Sequence, residues 1–125
     1  MKKLANALTG FVALEHIFFL VLEMFLWTTP TGLRTFGLTP EFAAQSAGLA
    51  ANQGLYNGFL AAGLIWGLIQ KDRGHATKIF FLSCVIVAGA FGGLTVKPSI
   101  FYIQGAPAML AFALLLVSRR RPGRT

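Results

Sequence analysis

Four stretches of this chain, 4–27, 48–69, 79–96 and 99–118, are each close to twenty residues long and almost wholly apolar. A helix needs ~20 such residues to cross the hydrocarbon core of a bilayer. Backbone polar groups in lipid must be satisfied within the segment, so each stretch is expected to be a helix. The breaks between them have local causes. Pro30, Gly32, Gly37 and Pro40 predict an irregular first connection, Asp72 and Gly74 a polar turn, and Lys97 with Pro98 a tight third turn. Thr39-Pro40-Glu41 has the order of an N-cap, a proline at the first helical position and an acid at the positive end of the helix dipole. The second helix is therefore expected to start near residue 40, outside the bilayer, and to enter it near Gly48. At 1.5 Å per residue its 40–70 span measures ~46 Å, so tilt or a break at Gly48 has to absorb the excess. The predicted fold is all-α, a polytopic membrane protein in one domain over 1–125. Its four transmembrane helices cover approximately 4–27, 40–70, 76–96 and 99–118, followed by a basic tail at 119–125.

Composition excludes the soluble alternative. Hydrophobic residues make up 55% and charged residues 12% of the 125, about half the charged share of an ordinary soluble domain. A soluble domain of this size buries only ~60–70% of its unfolded surface and could not hide that much apolar area. The net charge of +7 does not point to nucleic acid, because the cations flank apolar segments and form no stripe along a soluble face. Nine of the eleven lie in the N-terminus, the second connection and the C-terminus, leaving Arg34 and Lys97 for the other two. By the positive-inside rule both termini and the second connection are expected in the cytoplasm, facing anionic lipid. Trp27 and Tyr102 then fall at the outer interface, where aromatic belts form. The expected location is a bacterial inner membrane, crossed several times. Residues 4–27 are too long and too polar for a cleaved signal peptide. The single cysteine, Cys84, excludes an intramolecular disulfide.

Glu15, His16 and Glu23 stand inside the first span, within an arc of about 100° on a helix. An ionisable group facing lipid near the midplane costs ~2.5–3.5 kcal/mol, so this arc is expected to face protein or water. All three are candidate proton-transfer groups. Asn52, Gln53, Tyr56 and Asn57 occupy an arc of about 140° on the second helix and are candidate ligand-binding residues, with Gln104 on the fourth. Counted along the helix axes, Glu23, Asn52, Gln53 and Gln104 form an upper layer, and Glu15, His16, Asn57 and Ser83 a lower one. Pro107 releases the carbonyl of Ile103 between them. The two layers predict a polar pocket that opens outward. The competing account is that Asn52, Gln53 and Gln104 are interhelical glue worth ~0.6 kcal/mol each, that Ser83 bonds its own helix, and that Gly54, Gly58, Gly63 and Gly67 are a packing seam. Adjacent Glu15 and His16 do not face one another. No metal is assigned, since only one histidine lies in a span and neither HExxH nor Glu-x-x-His occurs. The sequence names no cofactor.

Several strings carry a family resemblance: Glu15-His16, Leu22-Glu23-Met24-Phe25-Leu26-Trp27-Thr28-Thr29-Pro30, Phe36-Gly37-Leu38, Asn52-Gln53-Gly54-Leu55-Tyr56-Asn57-Gly58 and Gln104-Gly105-Ala106-Pro107-Ala108. Over nearly its whole length the chain resembles the domain of unknown function 1304 family, short bacterial membrane proteins distantly grouped with DoxX/DoxD-like proteins. The resemblance implies a four-helix inner-membrane protein and brings no activity with it. Three functions remain open on the residues. The first is binding or transport of a lipophilic or small polar ligand, in which a transporter would need a homodimer for alternating access. The second is a small membrane enzyme performing acid–base isomerisation or quinone-type chemistry on a lipophilic substrate. The third is an accessory subunit docked through the glycine seams. Membrane lipids are expected partners in all three.

Overall fold

The computed structural model describes residues 1–119, so the basic tail predicted beyond Arg119 lies outside the described residues. Among those described, six helices and two tighter or wider turns follow one another, and no strand occurs. They are α1 (Lys2–Met24), α2 (Pro30–Phe36), α3 (Pro40–Ile69), a 3₁₀ turn (Lys71–Gly74), α4 (His75–Thr95), α5 (Pro98–Ile100), a π turn (Phe101–Gly105) and α6 (Ala106–Arg119). Three helical stretches, Lys2–Met24, Lys71–Thr95 and Pro98–Arg119, are long and apolar enough to cross a membrane. Large apolar side chains also cover the outside: Leu49, Leu94 and Val96 are each more than three-quarters exposed. Together these features mark a membrane protein, because water would penalise that surface and lipid does not. At 30 residues α3 has the length to span, but Asn52, Gln53 and Asn57 dilute its apolar character.

By its internal contacts the chain divides into two compact units, Leu14–Ala61 and a second that joins 1–13 to the residues from 62 onward. In the first unit the end of α1 runs antiparallel to the first part of α3. Buried or half-buried residues of α3 recur at Ala43, Ala47, Ala50, Gly54, Asn57 and Ala61, the alternating three- and four-residue spacing of a helix seam. The stripe is made of small residues so that α1 can come close. A Cβ on Gly54 would lie 2.7 Å from Met24 Cγ and 3.1 Å from Glu23 Cβ, and one on Gly58 would lie 2.6 Å from Leu20 Cδ1.

The connection between α1 and α3 corrects the sequence expectation of an irregular loop. Thr29 caps α2, its Oγ1 accepting from Gly32 N at 3.4 Å, with Pro30 in the first turn and Gly37 closing the helix at φ 65°. Threonine, proline and a left-handed glycine are start and stop signals in the right order, so the short helix was legible. Gly32 is required for the corner, because a Cβ there would meet Leu26 O at 1.9 Å. Thr39 caps α3 as expected, accepting from Phe42 N at 3.2 Å. α3 then continues without a break at Gly48.

In the second unit the other two α3 glycines face α4. A Cβ on Gly63 would fall 2.3 Å from the Phe81 ring, and one on Gly67 would fall 2.6 Å from Lys78 Cγ. The glycine pairs expected to form a seam thus serve two different neighbours. Farther along, Gly89, Gly92 and Gly93 admit Gly105, Ile100 and Phe101. The π turn stands just ahead of Pro107, which cannot donate to the carbonyl four residues back and crowds it; one wider turn relieves the clash. Ser83 Oγ donates to Ile79 O at 2.7 Å, within its own helix.

Candidate functional site

On α1 the seam recurs at Ala5, Thr9, Val12, His16 and Glu23, again at alternating spacings of a helix face. His16 and Glu23, two of the three candidate proton-transfer groups, therefore lie on its inward stripe, and Glu15 lies beside it. His16 is 0% exposed, and its ring meets Phe19 edge-on with centroids 5.5 Å apart. Glu23 is half-buried and accepts a hydrogen bond from Asn57 Nδ2 at 2.8 Å. Asn57 is itself only 6% exposed. This carboxylate–amide pair is the polar centre of the 14–61 unit.

The close packing at Gly54 creates the pair. With no side chain at that position, Glu23 Cβ can approach the α3 backbone, and its carboxyl group then reaches Asn57, one helical turn from Gly54. In this unit Glu15 Oε1 is buried without a hydrogen-bond partner, a cost of about 1–3 kcal/mol for a polar atom held out of water. A carboxyl oxygen in that state is ready to accept from whatever donor reaches it.

The remaining candidates separate by helix face. Asn52 and Gln53 are exposed, and Tyr56 is 56% exposed with its ring edge-on to Phe59. The 140° polar arc thus straddles the seam's edge and places only Asn57 inside it. The missed signal was the small-residue heptad Ala43–Ala50–Gly54–Asn57–Ala61, which marks the close-packed face better than polarity does. Gln104 is half-buried in the π turn of the other unit, near Gly89 of α4. Among the described residues no group of three or more His, Cys, Asp or Glu is placed to hold a metal.

A further contact at the α1–α2 corner was not anticipated. Trp27, expected at the outer interface, is half-buried and donates from Nε1 to Ser46 Oγ at 3.0 Å. Its ring lies 4.8 Å from that of Phe36. Ser46 Oγ donates in turn to Phe42 O at 2.6 Å. This chain of contacts ties α1, α2 and α3 together one helical turn beyond Glu23.

The family described as "Protein of unknown function (DUF1304)" matches residues 10–116, a span that includes every residue of this centre. The chain belongs to the DUF1304 family. This DUF1304 chain is also 32% identical over 113 residues to an uncharacterised protein, YpaA, of Lactococcus lactis subsp. lactis (strain IL1403), a match covering 89% of this chain and 95% of that one. The family match runs from within α1 to within α6. No solved structure is matched.

Proposed function

We propose that this protein is a multi-pass inner-membrane protein with four spans, α3 supplying the fourth, and with both termini in the cytoplasm. Its Glu23–Asn57 centre forms part of an intramembrane polar site that binds a lipophilic or small polar molecule and moves it across or within the bilayer. The supporting observation is the 2.8 Å bond from buried Asn57 to Glu23, on the same helix seam as fully buried His16. Interhelical glue accounts for a neutral amide at little cost. It accounts poorly for two acids and an imidazole on one helix, each expensive to insert.

The test is to reconstitute the protein in liposomes and to recover, by native mass spectrometry, molecules that stay bound through purification. Glu23→Gln keeps an acceptor for Asn57 and removes ionisation. Loss of flux or of bound ligand in Glu23→Gln and His16→Ala, with unfolding unchanged, supports the site. Wild-type behaviour in both overturns it. The topology is tested separately, by labelling cysteines placed at Lys3 and Lys97 from either side of sealed vesicles. Reaction from the same side defeats the four-span arrangement.

A second reading has its own observation. The buried, unpartnered Oε1 of Glu15 suits a base acting on a lipophilic substrate, with a positioned proton shift as the chemistry. A bound lipid whose unsaturated carbon lies against Glu15, lost in Glu15→Gln, favours isomerisation over transport.

A further inference from the structure

A cavity of about 350 Å³ opens in the other unit, at the end where the start of α1, the 3₁₀ turn with the first turn of α4, and the end of α6 come together. Among the described residues, Lys2, Lys71, Arg73, Lys78 and Arg119 line it, with Asp72 as the one carboxylate. Asp72 is already engaged in an ion pair with Lys2. Among the described residues, the four further cations share only what charge Asp72 has left to offer Lys71 and Lys78.

Two features indicate that the cations are gathered for an occupant. Lys78 is 3% exposed, and its ammonium donates to Asn6 Oδ1 at 2.8 Å. That neutral amide satisfies one of three donor hydrogens and offsets no charge. Lys71 sits at φ 53°, a left-handed conformation that glycine adopts freely and lysine at a cost. The chain holds a lysine where a glycine would be unstrained, and that lysine lines the cavity.

The geometry points to a binding site for a phosphate ester at this end of the protein, the anion held by Arg73 and Arg119 with Lys71 and Lys78 around it. Guanidinium groups match two phosphate oxygens at once, and lysines add charge without fixed geometry. The wall is partly apolar, through Leu115 and Ala76, and exposed Leu116 and Val117 lie beside it on α6. A headgroup could rest in the cavity while its chains follow that surface. Basic pockets between helices on the positively charged side of membrane proteins bind anionic headgroups in this way. The same chemistry accepts a free phosphate compound from the aqueous phase. This site is independent of the Glu23–Asn57 reading and shares no residue with it.

The test uses the full chain in nanodiscs of phosphatidylcholine with and without phosphatidylglycerol, read by native mass spectrometry. Wild-type protein is expected to retain phosphatidylglycerol in preference to phosphatidylcholine. Arg73→Gln/Arg119→Gln, two exposed positions whose exchange leaves packing intact, is expected to weaken that retention roughly tenfold or more. Inorganic phosphate separates the sources. Displacement of the lipid at millimolar concentration, or phosphate binding in phosphatidylcholine discs that the double variant loses, assigns the site to a soluble phosphate compound. Retention of the lipid against phosphate assigns it to the headgroup. Equal retention of both lipids by wild type, together with no phosphate binding, overturns the proposal, as does a double variant that behaves like wild type.

Discussion

The two compact units handle polarity in opposite ways. Between residues 14 and 61 His16 and Asn57 are buried on closely packed helix stripes, and the half-buried carboxyl group of Glu23 has a definite partner in Asn57. In the other unit charges gather at one end around an open cavity, where, among the described residues, five cations and one carboxylate line the wall. The contrast follows from solvation. A carboxyl group withdrawn from water is tolerated where a fixed donor replaces it, as at Glu23, and leaving one unpaired, as at Glu15 Oε1, carries a local cost. A cluster of like charges is tolerated only where water or a mobile anion can screen it. The first arrangement specifies how two helices meet, whereas the second leaves a surface that another molecule can complete.

Substitutions can break this contrast in order of expected effect. Gly32→Ala places a methyl group 1.9 Å from Leu26 O, which a backbone carbonyl cannot evade. It should abolish the α1–α2 corner or cost about 3 kcal/mol or more, read as a collapse of the unfolding midpoint in mixed micelles. Asn57→Leu removes the donor to Glu23 and should cost about 1–3 kcal/mol. Pairing it with Glu23→Leu, which removes the acceptor, in a double-mutant cycle sharpens the point, since additive effects would mean that the bond couples nothing.

Lys71→Gly should act in the opposite direction, stabilising by about 1 kcal/mol through relief of the left-handed backbone while phosphatidylglycerol retention falls. A loss of stability there would show that the lysine is held by its own packing. The smallest effect belongs to Trp27→Phe, which keeps the ring against Phe36 and loses the bond to Ser46. About 0.5–1 kcal/mol is expected, measured by the same denaturation.

Much of the architecture was legible because it follows from local rules. The Thr39 cap, the Pro40 start and Ser83 bonding back to Ile79 each need only a few consecutive residues. α2 was legible too, in Thr29, Pro30 and Gly37, but the same proline and glycine also signal a loop. The polar arc on α3 is divided by the fold for a different reason. Angular position groups Asn52, Gln53, Tyr56 and Asn57, yet the close-packed face is chosen by where Gly54 and the alanines let α1 approach. Polarity alone carries no information about that approach.

From the amino acids alone came the helical class, the apolar lengths that mark a membrane protein, and the presence of Glu15, His16 and Glu23 on one side of α1. Those properties depend on hydrogen bonding within a segment and on periodicity along it. Which α3 residue meets Glu23, which glycines receive α1 and which receive α4, and the collection of cations from both ends of the chain around one cavity were decided only by folding. They depend on distances between residues 34 to more than 100 positions apart, and no local preference encodes such distances.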